Sequence, residues 1–395
     1  MLGLAVNTDK NYHWRIAGFY FFYFAFVGMF SPYWSLYLKS IRFDAVQIAI
    51  LMSVQPVMRM IAPGLWGWLA DHMGDRKLVV QIAAALGVAS YLGVFATSSF
   101  YGMLLVLATM GFFWSASMPL VEATTFTWLG DNAAHYGRIR SWGSVGFIVA
   151  VMGLGYAFDY IAIHWLLWAG LFIMLGILFF ARQIPPTIVL AHHTDSQAIM
   201  SIVKQPQVLA LLAACFLMAV AHGPYYTFFS IYLVEHGYAK SAVGMLWALG
   251  VICEIGIFFL MPWLTRRYAL PHILMASLAG AVLRFLLIGW AVDSLPLLLF
   301  AQMLHAITFG SFHAAAVALI HQFFQGRHQS RGQALFGSVT YGAGGMLGGL
   351  ASGPIWQHYG ASALYSCSAV MALLGLLLMG WMSARAERQS GCVVR

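Results

Sequence analysis

Residues 14–38 read WRIAGFYFFYFAFVGMFSPYWSLYL and carry a single charged side chain, Arg15. A helix needs about 20 mostly apolar residues to cross the hydrocarbon core of a bilayer, and this stretch is long enough. Apolar runs of similar length follow at 45–70 and 78–96. The strands of a membrane barrel would instead alternate apolar and polar residues over roughly 10 positions. The sequence therefore predicts an all-α membrane protein.

The composition of the whole chain fits a lipid environment. Of the 395 residues, 62% are hydrophobic and 8% are charged. Soluble domains have about 45–50% apolar and about 25% charged residues, so too few charges are present to cover a soluble surface. The 4 cysteines are widely separated and follow neither a disulfide nor a metal-site pattern. We expect no metal and no cofactor.

The apolar pattern continues along the rest of the chain. Further spans are predicted at 101–128, 138–158, 162–181, 208–234, 241–264, 272–291, 295–323, 333–357 and 361–383. The first span is too long for a signal peptide and lacks a small-residue cleavage site. The prediction is therefore twelve transmembrane helices.

The longest stretch without a span predicts how these helices are grouped. This stretch, 183–207, is rich in prolines and polar residues and is predicted to be a cytoplasmic linker. It divides the chain into a six-helix bundle at 1–182 and a second one at 208–384. Residues 385–395 are predicted to form a cytoplasmic tail.

Two short repeats indicate that the two bundles are copies of one unit. Residues 35–38, SLYL, recur as SIYL at 230–233, and residues 142–145, WGSV, recur as FGSV at 336–339. The offsets are 195 and 194 residues, and both pair helix n with helix n + 6. Because six is an even number, the copies have the same orientation and form a parallel repeat. In transporters with such repeats, substrate is bound near the midplane between two rocking halves.

The net charge of +8 is explained by topology rather than by nucleic-acid binding. With the N-terminus inside, fifteen of the 20 Lys and Arg residues fall in inner segments and three fall in outer loops. The remaining two, Arg59 and Arg284, lie in the interior of predicted spans, away from the span ends. This bias predicts that both termini are cytoplasmic.

The loop between predicted helices 2 and 3, residues 67–77, reads GWLADHMGDRK. It resembles the loop motif of the major facilitator superfamily, G-x-L-A-D-R-x-G-R-[RK], but departs from it at His72 and Asp75. The glycines permit close helix approach and a tight turn, and the aspartate can face a helix N-terminus or an arginine. We predict a conformational latch formed by Gly67, Asp71, Gly74, Arg76 and Lys77.

Several other stretches are similar to the 3-phenylpropionate permease family, which has a lactose-permease-like fold. They are PYWS at 32–35 with YLK at 37–39, PLVEA at 119–123, YGRIRSWGSV at 136–145, AHGPYY at 221–226, SAVG at 241–244, LGVICE at 249–254 and LHAITF at 304–309. The resemblance spans most of the chain. It implies a proton symporter of the bacterial inner membrane that is not an enzyme. We expect a monomer whose partners are a small organic substrate, the proton and the lipid bilayer.

Charges inside the membrane are the strongest candidates for functional residues. Each costs roughly 2.5–3.5 kcal/mol at mid-bilayer, so each is expected to be paired within a polar cavity. The candidates are Arg59, Glu122, Glu254 and Arg284, with His222, His305 and His313 as titratable neighbours.

The resemblance implies roles for some of these residues. Differences from lactose permease argue against some of that protein's other roles. In lactose permease, a Glu on helix 4 and an Arg on helix 5 form part of the substrate site, and Glu122 and Arg140 match those positions. The stacking Trp of that protein corresponds here to Phe147, which argues against a sugar substrate. His305 matches a histidine on helix 10, but the proton-carrying Glu and the Lys beside it are here Thr308 and Gln302. The lactose coupling scheme therefore does not transfer as a whole.

A histidine with an unperturbed pKa near 6.5 can exchange protons at working pH. The predicted proton-coupling residues are Glu254, His305 and His313. His222-Gly223-Pro224 is predicted to interrupt helix 7 and to point to the binding site. The predicted substrate-binding residues are Glu122, Arg140, Arg59, His222, Tyr225, Tyr226, Phe147, Arg284 and Trp34.

The function predicted from these residues is proton-coupled import of a small organic substrate, such as the aromatic acid 3-phenylpropionate. A nucleoside or sugar symporter, a drug efflux antiporter and a non-transporting membrane sensor are the alternatives. Drug antiporters usually carry a Gly-Pro-rich motif in helix 5, and no proline occurs in GSVG at 143–146. No catalytic motif and no phosphate-binding loop is present.

Overall fold

The computed structural model describes residues 10–130, 135–186 and 197–391, and these are helical almost throughout, without strands. Ten helices long enough to cross a membrane precede residue 329. They are α1 (Lys10–Ser40), α2 (Ala45–Met73), α3 (Arg76–Tyr91), α4 (Phe100–Leu129), α5 (Tyr136–Tyr160), α6 (Leu166–Ala181), α7 (Pro206–Glu235), α8 (Lys240–Arg267), α9 (Leu270–Trp290) and α10 (Leu295–Phe323). Single-turn 3-10 segments extend α3 and precede α6.

The last helical stretch contains two helices. The apolar segment Gln329–Arg385 has 57 residues, or about 85 Å of helix, far more than one bilayer crossing requires. Gly360 breaks it, with φ 76° and ψ −176°, a conformation that favours glycine. We label residues 329–359 α11 and residues 361–391 α12. The predicted twelve-helix fold is confirmed.

The structure adds features that the apolar pattern does not reveal. The predicted linker contains a short helix, Gln197–Val203. Both α10 and α11 contain a π-helical segment, at Ala306–Ser311 and Ser338–Gly344 respectively. Such segments are rare and are frequently found at functional sites.

The described helices belong to two compact units. Unit 1 consists of Met1–Phe43, Val57–His192 and Ala239–Gly244. Unit 2 consists of Asp44–Pro56, His193–Tyr238 and Met245–Arg395. The first residues of α2 therefore group with unit 2, and the first residues of α8 with unit 1. The division into bundles at 1–182 and 208–384 remains a prediction.

Glycines on α11 permit close helix packing in unit 2. A Cβ atom on Gly348 would collide with the backbone of Val220 on α7, and one on Gly353 would collide with Ala49 on α2. Small residues that let backbones approach are characteristic of helix packing in membranes. These glycines therefore let α11 pack closely against α7 and α2.

A pair of glycine substitutions tests this packing. We expect Gly348→Ala to lower the free energy of unfolding by about 1–3 kcal/mol, because the added methyl group overpacks the contact. Gly256 on α8 has open space where its Cβ would lie. Gly256→Ala is expected to be neutral or to stabilise, since alanine is the better helix former. Thermal unfolding of both purified variants measures the difference, and equal melting temperatures would contradict this account.

The predicted interruption of helix 7 is wrong. Residues Pro206–Glu235 form one continuous helix with Pro224 inside it. The His222 Nδ1–H group donates to Met218 O at 2.8 Å, and Thr227 Oγ1 donates to Gly223 O at 3.0 Å. Transmembrane helices can contain proline where neighbouring helices, side chains or water satisfy the freed carbonyl group.

Candidate functional site

Arg284 on α9 is fully buried in unit 2, with 0% exposure. Its Nε atom donates to Ala301 O at 3.2 Å, and Nη1 donates to Thr308 Oγ1 at 3.2 Å. The guanidinium carbon lies 4.3 Å from the centre of the Tyr225 ring, which is a cation–π contact. Protein groups thus hold the head group in one place through neutral contacts.

His222 on α7 completes the environment of this guanidinium. Its Nε2 atom lies 3.4 Å from Arg284 Nη1. A carbonyl oxygen can only accept, so Nδ1, which faces Met218 O, must carry the ring proton. The neutral ring then presents the Nε2 lone pair to Arg284. His222 is therefore a partner of the cation and not a second positive charge.

The Arg284 charge has no counterion among the described residues. None of their carboxylates lies within 4.0 Å of the guanidinium. The Nη2 atom is buried and has no hydrogen-bond partner among them, and the same holds for Gln302 Nε2 and His305 Nδ1. An unpaired buried cation costs several kcal/mol, and orphan donors add to that cost. The Arg284 Nη2 and Gln302 Nε2 donors form a site suited to an anion.

Aromatic side chains surround the same position. Tyr225 donates its hydroxyl proton to Gln302 Oε1 at 3.0 Å. Its ring stacks on Phe229 and tilts against Trp247, with both pairs of ring centres 4.7 Å apart. Tyr226 lies 6.0 Å from Trp247. The cation thus lies beside apolar ring faces that suit an aromatic ligand.

Two titratable side chains meet close to this cluster. Glu254 Oε2 on α8 lies 3.7 Å from His305 Nε2 on α10, within ion-pairing distance if the histidine is protonated. The Tyr225 and His305 rings have centres 6.0 Å apart. A proton on this pair would therefore change the charge beside Arg284.

The row of aromatic side chains continues along α10. The Phe309 ring stacks on His305 at 5.3 Å and on His313 at 6.3 Å. His313 Nδ1 lies 2.8 Å from the hydroxyl of Tyr341. Phe309 lies in the π-helical segment of α10 and Tyr341 in that of α11. The Phe309 ring thus lies between His305 and His313.

In unit 1, Glu122 and Arg140, which match the charged substrate-site positions of lactose permease, do not form an ion pair with each other. Glu122 Oε1 accepts a hydrogen bond from the Tyr136 hydroxyl at 3.0 Å. The Arg140 guanidinium carbon lies 3.8 Å from the centre of the Phe24 ring. The Glu122 carboxylate and the Arg140 guanidinium are more than 4.0 Å apart, and each contacts an aromatic side chain instead.

The other predicted substrate residues of unit 1 lie in aromatic surroundings. Arg59 is exposed, and its guanidinium carbon lies 5.6 Å from the Trp114 ring, which stacks on Tyr23 at 4.4 Å. Trp34 is fully buried and stacks on Phe30, with ring centres 5.2 Å apart. The backbone of Phe147 packs where a Cβ of Gly28 would lie. Trp34 and Phe147 therefore lie in the packed core of unit 1.

The structure of the loop at 67–77 agrees only in part with the predicted latch. Gly74 has a φ of 68° and makes the tight turn as predicted. Gly67 makes no close approach, because a Cβ there would meet nothing within 4 Å. Asp71 is exposed and has no hydrogen bond or ion pair with the part of the chain that the structure describes. Asp75, a departure from the motif, caps α3 by accepting from Leu78 N.

The basic end of the latch lies beside this cap. Arg76 and Lys77 form the first turn of α3 and are half-buried. Neither forms an ion pair with a described carboxylate. The latch itself remains a prediction.

Sequence reasoning missed Trp247 altogether. It lies seven residues before Glu254 on α8, so the two positions share a helix face, and that spacing was the available signal. The sequence singled out Gln302 and Thr308 only because they differ from the Lys and Glu that lactose permease has at these positions. Their contacts with Tyr225 and Arg284 depend on tertiary structure and have no local signature.

Comparison with known proteins gives consistent matches over nearly the full chain. The model of the MFS_1-like family matches residues 13–367. The "Probable 3-phenylpropionic acid transporter" of Escherichia coli (strain K12) is 32% identical over 380 residues, which cover 94% of this chain and 97% of that protein. The "Maltose permease" of Geobacillus stearothermophilus is 27% identical, with 94% and 95% coverage. The crystal structure of the nucleoside transporter NupG superposes with a TM-score of 0.81 at 18% identity, covering 95% and 98%.

Proposed function

Since this chain belongs to the MFS_1-like family of membrane transporters, we propose that it is a proton-coupled symporter for a small aromatic carboxylic acid such as 3-phenylpropionate. The chain is a multi-pass membrane transporter and not an enzyme. The proposal concerns the substrate, the proton and the direction of import. The observation that carries it is the buried Arg284 guanidinium without a carboxylate partner among the described residues.

The substrate carboxylate would supply the missing counterion. One oxygen would accept from Arg284 Nη2, and Gln302 Nε2 is a second donor of the same cluster; neither atom has a hydrogen-bond partner among the described residues. Hydrogen bonds between guanidinium and carboxylate are among the strongest in proteins. Tyr225 and Trp247 would contact the aromatic ring of the substrate. The name of the Escherichia coli relative supports the same class of compound.

The Glu254–His305 pair would couple the proton to this binding event. In the outward-open state the pair takes up a proton, and the substrate anion then binds to Arg284. The added proton and the added anion cancel in charge, which permits closure over a low-dielectric interior. The substrate and the proton then leave on the cytoplasmic side. Both termini are proposed to lie on that side of the bacterial inner membrane.

Binding to the purified protein tests the substrate class. We expect 3-phenylpropionate to raise the melting temperature in a concentration-dependent manner, as any ligand of the folded state does. The neutral analogue 3-phenylpropanamide has the same ring and serves as the matched control. It is expected to bind at least about 30-fold more weakly, because the contact with a buried charge is worth about 2 kcal/mol or more.

Uridine and maltose are tested in the same melting-temperature measurement. Stabilisation by uridine or maltose, with no effect of 3-phenylpropionate, would overturn the carboxylate proposal. Equal affinity for the acid and its amide would overturn the role of Arg284.

A further inference from the structure

The N-terminus of α8 has no cap of its own. Val243 N donates to Ala239 O at 3.1 Å, so Ala239 occupies the N-cap position, and an alanine side chain accepts no hydrogen bond. The cap comes from Asp159, at the end of α5. Its Oδ1 atom accepts from Lys240 N at 2.8 Å and from Ser241 N at 3.4 Å, and Oδ2 lies 3.3 Å from Ser241 N.

The repeat-related helix is capped locally instead. α2 begins at Ala45 and α8 at Lys240, which is the repeat offset of 195 residues. Asp44 Oδ1 accepts from Gln47 N at 2.8 Å, and Gln47 Oε1 accepts from Asp44 N at 3.2 Å. This reciprocal arrangement is a capping box. At the position of Asp44, the second copy has Ala239 and depends on a carboxylate 81 residues away in the chain.

The ends of α5 and α8 approach each other backbone to backbone. A Cβ on Gly155 would collide with Lys240 O, and a Cβ on Gly244 would collide with Val151 O. Val151 O also accepts a hydrogen bond from the Tyr33 hydroxyl. Asp159 reaches α8 because these two glycines remove the side chains between the helices. The close approach of the two helix ends and the cap by Asp159 therefore form a single structural feature.

We propose that Asp159 is a positioning residue for the transport cycle. It caps α8 only while the adjoining ends of α5 and α8 lie together, and it therefore favours that state over the state in which they separate. α8 carries Trp247 and Glu254, so the cap acts on the substrate and proton sites through this helix. The charge bias predicts that these ends face the extracellular side.

This proposal rests on the chain being a transporter, with α5 and α8 in the two halves that move. It does not depend on which substrate is carried. Separation of the helix ends would leave the first N–H groups of α8 without a protein acceptor. Loss of one N-cap shifts an equilibrium by about 2- to 30-fold.

Pulsed electron paramagnetic resonance between two nitroxide labels tests the proposal. The labels replace Tyr156 on α5 and Met245 on α8, both exposed, in the full chain without its native cysteines. We expect Asp159→Ala to increase the ratio of long to short label distances by about 2- to 30-fold. An unchanged distance distribution overturns the proposal.

Asp44→Ala is the matched control. Asp44 is also exposed and also caps a helix, but its cap stays within α2 in every state. We expect this variant to lower the melting temperature and to leave the label distances unchanged. A comparable shift of the distances in both variants would show a general effect of cap loss and would overturn the proposal.

A second variant separates positioning from stability. Ala239→Asp in the Asp159→Ala background gives α8 a local cap that is present in both states. We expect it to restore the melting temperature while the excess of long distances persists. If Ala239→Asp also restores the wild-type distances, Asp159 is a structural cap only and the proposal fails.

Discussion

Arg284→Met is expected to reduce the affinity for 3-phenylpropionate by at least about 30-fold and to raise the melting temperature of the ligand-free protein. The loss of affinity follows because truncation of one partner of a buried charge pair costs about 2–5 kcal/mol. The gain in stability follows because Arg284 is buried without a carboxylate partner among the described residues. Apolar replacement of poorly compensated buried charges is often neutral or stabilising.

Titration calorimetry and thermal unfolding of the purified variant measure the two effects. Arg267→Met is the matched control, because Arg267 is exposed at the end of α8 and the same change should leave both quantities near wild type. Arg284→Lys retains the charge but loses the fork of donors, and we expect intermediate affinity. Wild-type affinity in Arg284→Met would remove this residue from the substrate site.

Glu254→Gln and His305→Ala are expected to abolish uphill accumulation of substrate, so that the ratio of internal to external substrate falls to about one. The two side chains lie 3.7 Å apart and are the proposed proton carriers. Neither variant removes Arg284, Tyr225 or Trp247, so exchange of labelled for unlabelled substrate should persist. Retained exchange with lost accumulation is the signature of broken coupling, whereas misfolding would abolish both.

Proteoliposomes with an imposed pH gradient allow both activities to be measured in one preparation. Glu235→Gln and His358→Ala are the matched controls, since both residues are exposed at helix ends. They are expected to accumulate substrate as the wild type does. Concentrative uptake in both Glu254→Gln and His305→Ala would contradict the coupling scheme.

The apolar runs predicted the helices well, because in lipid each helix must satisfy its own backbone and span a fixed thickness. The intramembrane charges Arg284 and Glu254, with His305, were predicted for a related reason: their cost within a bilayer singles them out in the sequence. Their mutual placement was only partly predictable. Trp247 and Gln302 acquire their roles from side chains on other helices.

Local rules were least reliable where tertiary contacts override them. Pro224 predicted an interrupted helix, yet side-chain hydrogen bonds to nearby carbonyls accompany a continuous α7. Glu122 and Arg140 match paired positions of a related transporter, yet each contacts an aromatic side chain instead. The cap that Asp159 provides for α8 has no sequence signature, because donor and acceptor lie 81 residues apart.

The most direct test of the central claim is the pH of a lightly buffered suspension of proteoliposomes after addition of 3-phenylpropionate. A symporter removes one external proton with each anion at a one-to-one stoichiometry, so we expect the medium to become alkaline as labelled substrate enters. Protein-free and Arg284→Met vesicles give the background from diffusion of the neutral acid. Entry of substrate at the wild-type rate, with no alkalinisation above that background, would contradict proton-coupled transport.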